Sequence, residues 1–477
     1  MIPKLYPRMD AVGLAELVRK KEVSAAELVE AAIARIEEVN PHVNAVVHKA
    51  YDYARRLASA PLPAGKLAGV PFLLKDLAIE WQGLPVTNGS RFFGNDVAAS
   101  SWILADRMKQ AGLIPLGKTN VPEMGGCTST EPRFYGPTLN PWNDKLVAGG
   151  SSGGSASAVA SGMVPMADAS DGGGSIRIPA ALNGLVGLKP SRGRITHGPM
   201  MVDFWYGAAV FLCVSRTVRD TAAYLDAVGG SLPGEPYGLD MPASSYSSLL
   251  GAPVQPLRIG FVTKEPDGTP LTGEIKAGVL NAAKACERLG HRVEEFDFKF
   301  DVGRMNALFP RITATLNAGF LDAVASARGV TLSEKDLEPP TWASYQAGRS
   351  LTAIDHANDV EGMRALARDM VRAQAGLDVL ITPTLPDLPH PLGWFRAVDQ
   401  DKAEFSRRLL RDIVFTAPFN LTGQPALSLP LHMAGPDVPV GVHFAAKLGD
   451  EATLIALAGQ LEQAQPWKDR LPAKFFD

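Results

Sequence analysis

The sequence predicts an α/β fold, and three patterns along the chain lead to this prediction. Residues 11–40 carry the apolar spacing of amphipathic helices. Apolar runs at 70–74 and 113–116 are bounded by proline or glycine and are too short for helices, which is typical of buried strands. A β-α-β pattern occupies residues 257–298. We therefore expect a central sheet that begins near residue 70.

The first helical stretch divides into two helices. Ser24 is followed three residues later by Glu27, which is the pattern of a capping box at a helix N-terminus. Proline cannot donate a backbone hydrogen bond inside a helix, so we expect the second helix to end before Pro41.

Later elements follow the same reasoning. Within the β-α-β unit we predict a strand at 257–262, a helix at 272–289 and a strand at 292–298. The remaining predictions are helices at 306–328 and 351–375, and a strand at 378–382 before a proline-rich turn.

Composition excludes several classes of protein. The 477 residues are 46% hydrophobic and 20% charged, which argues against disorder, a collagen-like fibre or a coiled-coil rod. The net charge is −3 and no basic stripe is present, so nucleic acid is not an expected partner. Three cysteines without a C-x-x-C pair predict neither a disulfide framework nor a structural zinc site. We predict no metal and no cofactor.

Location in the cell is predicted from the same features. The first seven residues lack the basic and apolar regions of a signal peptide. The uncharged stretch at 146–167 is interrupted by glycines and serines, so it predicts a loop and a small-residue helix rather than a membrane span. Together with the few cysteines, these features predict a cytoplasmic protein without a membrane span.

Two glycine-rich runs, at 149–155 and 171–179, are the strongest functional signal. Glycines let several backbone N–H groups point toward one position, so we expect a negative or developing negative charge there. Neither the dinucleotide-binding nor the P-loop spacing is present. The letters of residues 149–153 fit the G-x-S-x-G elbow of a Ser-His-Asp esterase with Ser151 as nucleophile. Residues 142–145 make a poor strand for that elbow, and the eight histidines form no pattern.

A serine nucleophile with a lysine base is the alternative. Ser175 follows three glycines whose N–H groups can converge on a substrate carbonyl oxygen as it becomes anionic. A lysine can serve as base where burial removes its proton. Lys75, Lys118 and Lys189 all follow short apolar runs, and residue type alone does not choose among them.

The run 149–190 closely resembles the signature of the amidase signature family of serine hydrolases. The resemblance implies a Ser-Ser-Lys triad with Lys75 as general base, Ser151 as bridging serine and proton relay, and Ser175 as the acylated nucleophile. The 24-residue interval between the two serines matches the family. Further matching runs cover most of the chain and lie at 69–76, 117–124, 138–142, 415–430 and 438–442.

The resemblance also implies an architecture. It predicts a central mixed β-sheet surrounded by α-helices in one amidase domain spanning residues 1–477. The signature core is expected at about 65–220, and a more variable substrate-side region at about 232–377. It further implies a cis peptide bond before Ser151.

Around the nucleophile, the resemblance implies three groups of residues. The oxyanion hole is expected from Gly172, Gly173, Gly174 and Ser175. Many members have Thr or Ile where this chain has Gly172, a change that keeps the N–H donor but loosens the loop. Ser152 is expected to add a hydrogen bond, and Asp171 with Arg177 to form a salt bridge that braces the loop. The expected substrate pocket includes Met124, Gly125, Gly126, Cys127 and Trp205.

The predicted function is hydrolysis of a small-molecule amide to an acid and an amine or ammonia. Members of the family act on fatty, aryl, peptide and cyclic-dimer amides, and one is an amidotransferase subunit that works in a complex. The run 170–179 looks more like stand-alone bacterial amidases, including 6-aminohexanoate cyclic-dimer hydrolase-like enzymes. The esterase and the amidotransferase subunit remain the alternatives, and the sequence leaves a homodimer open.

Overall fold

A mixed sheet forms the centre of the molecule. The structure is a computed structural model, and it describes residues 2–94, 96–199 and 201–476. Within these ranges the sheet has eleven strands in the order β1-β3-β2-β4-β6-β5-β10-β11-β9-β7-β8. The strands are β1 (Val46–Lys49), β2 (Pro71–Lys75), β3 (Ile114–Thr119), β4 (Met166–Asp171), β5 (Val186–Lys189), β6 (Val210–Ser215), β7 (Arg258–Phe261), β8 (Arg292–Glu295), β9 (Val379–Pro383), β10 (Ala426–Met433) and β11 (Pro439–Ala446).

Helices surround this sheet. They are α1 (Ile2–Leu5), α2 (Ala11–Arg19), α3 (Ala25–Val43), α4 (Tyr51–Ser59), α5 (Ile103–Gln110), α6 (Gly153–Ala160), α7 (Arg177–Asn183), α8 (Val218–Val228), α9 (Gly273–Arg288), α10 (Val302–Ala327), α11 (Pro339–Ser350), α12 (Ala353–Ala373), α13 (Lys402–Asp412), α14 (Ala417–Thr422), α15 (Glu451–Ala464) and α16 (Ala473–Phe476). In the described part of the chain, no helix has the length and apolar character needed to cross a membrane.

The sheet brings two strand ends together, and this pairing positions the site. Strands β2 and β4 are parallel neighbours, with Leu73 opposite Ala167. Their carboxyl ends therefore lie at the same edge of the sheet. Lys75 is the last residue of β2, and Asp171 is the last residue of β4. The loop that carries Ser175 begins immediately after β4.

Several predicted elements are confirmed. The runs at 70–74 and 113–116 become β2 and β3, which pair in parallel. The β-α-β unit is formed by β7, α9 and β8, and its two strands are also parallel. Ser24 and Glu27 make both hydrogen bonds of the capping box at the start of α3. The overall prediction of a mixed sheet surrounded by helices is therefore correct.

Several predicted boundaries differ from the structure, including those of α3, α6 and β8. Helix α3 continues through Pro41 to Val43, because a proline in the last turn removes only one hydrogen bond and Asn44 then caps the helix in the left-handed conformation at φ 51°. The glycine and serine spacing after residue 149 predicts that the small-residue helix runs through Met163, but α6 ends at Ala160. Strand β8 stops at Glu295, before the predicted end at Phe298.

Strand β4 was not predicted, although it leads directly to the candidate nucleophile. Its sequence, MADASD, contains two aspartates and a serine and lacks the β-branched residues that mark strands. All six residues are nevertheless buried between neighbouring strands. Only the tertiary contacts of these polar side chains explain why the segment is a strand.

Candidate active site

A lysine and a serine form a direct contact at the sheet edge. Nζ of Lys75 donates to Oγ of Ser151 at 2.7 Å and to Oγ of Ser170 at 2.9 Å. The Lys75 side chain is fully buried, and Ser151 is only 2% exposed. Ser170 lies on β4, beside the end of β2 from which the lysine projects. The two serines therefore hold Nζ at a fixed position with hydroxyl groups on two sides.

Burial changes the protonation of this lysine. It lowers the pKa of Lys75 to about 7, although the negative charges of Asp168 and Asp171 act in the opposite direction. An ordinary lysine has a pKa of about 10.4 and would stay protonated near neutral pH. Lys75 can therefore be neutral at neutral pH, as a general base requires.

A buried carboxyl group, Asp168, and a second buried lysine, Lys118, lie close to Lys75. The backbone N–H of Lys75 donates to Oδ2 of Asp168 at 3.1 Å. Among the described residues, the other oxygen of Asp168 has no hydrogen-bond partner, and burial raises the pKa of this carboxyl above its ordinary value. Lys118 is also fully buried, and its Nζ donates to the carbonyl oxygen of Ile79 at 3.2 Å. Asp168 thus lies near two buried lysines and affects the charge of both.

Ser175 lies on the loop between β4 and α7. It is only partly buried and lines the same cavity as Ser151 and Ser170. Its carbonyl oxygen accepts the N–H of Ser152 at 3.3 Å, which ties the two glycine-rich runs together. The peptide bond between Gly150 and Ser151 is cis. In the described part of the chain no hydrogen bond joins the hydroxyls of Ser151 and Ser175.

Asp171 and Arg177 form a buried ion pair that braces the loop carrying Ser175. Arg177 donates to Asp171 from Nη2 at 2.8 Å and from Nε at 2.9 Å, and both side chains are fully buried. Burial alone would raise the pKa of Asp171, but the Arg177 charge and hydrogen bonds hold it well below its usual range. The guanidinium also donates to the Asn420 side chain and to the carbonyl of Thr416. The loop is therefore tied to the chain more than 200 residues away.

The same carboxylate decides which N–H groups of the loop remain available. Asp171 Oδ1 accepts the N–H of Gly174 at 2.8 Å. This N–H group is therefore not free to bind a substrate oxygen, although Gly174 was among the four residues predicted to form the oxyanion hole. The N–H groups of Gly172, Gly173 and Ser175 have no acceptor among the described residues. Thr416 donates its hydroxyl to the carbonyl of Gly173 at 2.6 Å and holds that peptide in place.

The predicted pocket residues line one large cavity. Its volume is about 1070 Å³, and it contains Met124, Gly125, Gly126, Cys127 and Trp205 together with Ser151 and Ser175. The run 124–127 packs against Ser151, since a Cβ on Gly125 would lie 3.2 Å from Ser151 Oγ. Trp205 reaches the cavity from the loop before β6. Ser152 exchanges long hydrogen bonds of 3.4 Å with the backbone of Ser170.

The other candidate bases are not placed beside a serine. Lys189 is buried, and its Nζ donates to the carbonyl of Pro190 at 2.8 Å. Lys118 contacts backbone carbonyls, as described above. All eight histidines belong to the described ranges; none lines the cavity, and none hydrogen-bonds to Ser151 or Ser175. The structure therefore does not support the Ser-His-Asp esterase.

Sequence reasoning missed several residues that contact the site. Ser170 directly precedes Asp171 in the glycine-rich run, and this adjacency was a usable signal. Thr416 and Asn420 lie in the matching run 415–430, but no role was predicted for either, and no pattern in the sequence indicated Asp168 or His443. Nε2 of His443 lies 3.1 Å from Arg177 Nη1, and its Nδ1 lies 3.0 Å from Thr382 Oγ1. The imidazole thus links the arginine of the ion pair to strand β9.

Comparison with known proteins agrees with this geometry. The family model described as Amidase matches residues 27–455. The 6-aminohexanoate-cyclic-dimer hydrolase of Paenarthrobacter ureafaciens is 38% identical over 477 residues, covering 97% of this chain and 96% of that protein. A solved structure of 6-aminohexanoate cyclic dimer hydrolase superposes with a TM-score of 0.93 at 37% identity, covering 98% of this chain and 99% of the other. A bacterial aryl acylamidase superposes with a TM-score of 0.85 at 28% identity, covering 98% of each chain.

Proposed function

The chain belongs to the amidase family of amide hydrolases, and on that premise we propose that it cleaves amides through an acyl-enzyme on Ser175. Ser151 relays the proton, and Lys75 is the general base. The observation that carries the proposal is the 2.7 Å contact between Lys75 Nζ and Ser151 Oγ inside the cavity that Ser175 also lines.

The first half of the reaction forms the acyl-enzyme. Ser175 Oγ attacks the carbonyl carbon and gives its proton to Ser151 Oγ, while the Ser151 proton moves to the neutral amine of Lys75. A hydroxyl both donates and accepts hydrogen bonds, so Ser151 can pass the proton on. As the C–N bond breaks, the proton returns through Ser151 to the leaving nitrogen. Water then repeats the sequence on the ester, releasing the acid and restoring Ser175.

The negative oxygen of each tetrahedral intermediate needs N–H donors. We assign this role to Gly172, Gly173 and Ser175, because their N–H groups lie beside the nucleophile and are not engaged by Asp171. Removing one such donor typically slows turnover by about 10² to 10³. Asp171 and Arg177 act indirectly by holding the loop in shape.

The cavity favours a small-molecule amide with an apolar body. Its walls include Phe93, Phe309 and Phe320. Apolar walls with a few polar groups at the reacting end are typical of pockets for organic ligands. A cyclic dimer of 6-aminohexanoate is a candidate substrate, because a 38% identical relative is named for hydrolysing it.

We also propose a cytoplasmic location, based on the three free cysteines.

The test combines labelling and turnover of the purified single chain. A serine-directed fluorophosphonate should modify Ser175, as located by peptide mass spectrometry. An adduct on Ser151 would instead support the elbow nucleophile of the esterase. The same preparation should hydrolyse at least one of an aryl anilide, an aliphatic amide, a dipeptide amide and the cyclic dimer. Activity that requires a second subunit would favour the amidotransferase alternative.

A further inference from the structure

The cavity wall beside the nucleophile contains a close contact between Gly172 and Trp205. A Cβ added at Gly172 would lie 2.5 Å from Cζ3 and 2.9 Å from Cε3 of the indole. Carbon atoms in contact normally lie about 3.5 to 4.0 Å apart. The φ angle of Gly172 is not positive, so its backbone conformation would accept a side chain. The space occupied by Trp205, rather than the backbone, therefore requires glycine at this position.

The indole is held from three sides. It stacks on Phe204 with ring centroids 5.5 Å apart and an angle of 8° between the planes. Its edge contact with Phe309 has a centroid distance of 6.3 Å and an angle of 83°. Its Nε1–H donates to Oδ1 of Asn317 at 3.2 Å. Phe204 is the neighbouring residue, and Phe309 and Asn317 both lie on α10, so the ring cannot turn away from Gly172 without breaking a contact with its own loop or with that helix.

The loop that presents the indole is itself built around unusual backbone conformations. Trp205 and Tyr206 have φ angles of 54° and 56°, which residues with side chains rarely adopt. Asp203 accepts the N–H of Gly207 across this turn, and the Tyr206 hydroxyl meets His356 Nε2 at 2.9 Å. Such conformations persist only where surrounding contacts hold them. The position of Trp205 is therefore specified by its surroundings.

The proton relay indicates which part of the substrate faces this wall. Ser151 must return the proton to the leaving nitrogen, so the amine lies beside Ser151 and the run containing Gly125. The carbonyl oxygen faces the N–H groups of Gly172 and Gly173, so the acyl substituent extends away from Ser151, past the Cα of Gly172, toward Trp205 and Phe309 in the cavity wall. On that side Trp205 covers Gly172, and a Cβ on Gly173 would lie 3.5 Å from the Phe309 ring. Two aromatic rings thus border the carbon next to the scissile carbonyl.

We propose that Trp205, seated on Gly172, is the residue that determines acyl specificity. It admits flat or unbranched apolar acyl groups and excludes acyl groups that are branched next to the carbonyl. Gly172 contributes by leaving the space in which the indole lies. The inference rests on the proposed function, since it assumes an acyl-enzyme on Ser175.

The test is a double-mutant cycle of Trp205→Ala and Gly172→Ala. For each variant, kcat/KM is measured with two substrates, the para-nitroanilides of butanoic and pivalic acid. Trp205→Ala should raise the pivaloyl-to-butanoyl ratio of kcat/KM by about 10-fold or more, the range for one to a few methyl groups in a pocket. Gly172→Ala alone should lower kcat/KM for the butanoyl substrate by about 10-fold or more, because the methyl group displaces the indole. In the Trp205→Ala background the same change should cost less than about 3-fold, since the clash is gone.

Two matched controls accompany the cycle. Trp342 does not line the cavity, so Trp342→Ala should leave the substrate ratio unchanged. A Cβ on Gly319 would meet no atom within 4 Å, so Gly319→Ala should keep full activity. If Gly172→Ala alone does not fold, the double variant still reports on the ratio. Thermal unfolding of every variant separates a loss of protein from a loss of activity.

The outcomes distinguish this inference from the proposed function. An unchanged ratio in Trp205→Ala, or an equal effect of Gly172→Ala in both backgrounds, overturns the role of Trp205. If Ser175 is still labelled by the fluorophosphonate and the anilides turn over, the proposed function survives that result. If Ser175 is not labelled and neither anilide turns over, the proposed function fails, and the specificity inference fails with it.

Discussion

Lys75 Nζ lies 2.7 Å from Ser151 Oγ, although 76 residues separate the two in the sequence. Strand β2 carries the lysine, and the loop before α6 carries the serine. Both side chains are buried, and Ser151 also lines the cavity. A buried amine is thereby hydrogen-bonded directly to a hydroxyl group, which is the arrangement that the proposed proton relay requires.

The first prediction concerns which buried lysine is the base. Lys75→Met should lose most activity, by a factor of at least about 10² in kcat, because no other basic side chain among the described residues hydrogen-bonds to Ser151. Lys189→Met is the matched control: this lysine is equally buried, but its Nζ contacts only a backbone carbonyl. Its kcat per folded molecule should stay within a few-fold of the wild type. Equal losses in the two variants would contradict the assignment of Lys75.

The second prediction separates the relay from the nucleophile. Ser151→Ala should lower kcat by about 10² to 10⁴ with KM little changed, as expected for an acid-base group that contributes mainly in the transition state. The fluorophosphonate should still label Ser175 in this variant, only more slowly. Near-normal turnover would remove Ser151 from the mechanism.

The third prediction is the pH dependence of kcat/KM. Burial lowers the pKa of Lys75 to about 7, and only the neutral amine can accept a proton. Activity should therefore be low at acidic pH and rise as the pH passes through about 7. The profile should be measured with a neutral amide for which chemistry is rate-limiting.

The variant Asp168→Asn tests whether Lys75 is the group that titrates in this pH profile. Its negative charge raises the pKa of Lys75, so Asp168→Asn should lower this pKa further and move the acidic limb to lower pH. Asparagine keeps an oxygen that can accept the Lys75 N–H. A limb that stays in place in Asp168→Asn would indicate that a different group titrates.

The fourth prediction concerns stability. Arg177→Gln leaves the buried Asp171 charge without its partner, so the free energy of unfolding should fall by about 3 to 5 kcal/mol. Denaturant unfolding measures this change. The double variant Asp171→Asn/Arg177→Gln should lose less than the sum of the two single changes, because no unpaired charge remains. Additive losses would show that the two side chains are not coupled.

Much of the candidate site was accessible from the sequence because its residues lie in two compact glycine-rich runs. Ser151, Ser175 and Lys75 each follow a recognisable local pattern, and the resemblance of those patterns to one family selected among three lysines. The short apolar runs likewise predicted β2 and β3, since a buried strand needs little more than a continuous apolar stretch.

Other features were decided only by the tertiary structure. Three of the six side chains of strand β4 are polar, and two of them, Asp168 and Ser170, are buried in contact with Lys75. The Asp171 carboxylate engages the N–H of Gly174, a choice that three consecutive glycines cannot reveal. The indole of Trp205, 33 residues further along the chain, leaves no space for a side chain at position 172, so this position needs glycine. The space available to a residue depends on the groups that pack against it. Local patterns determined which residues could react; long-range packing determined their neighbours, their charge and the shape of the cavity around them.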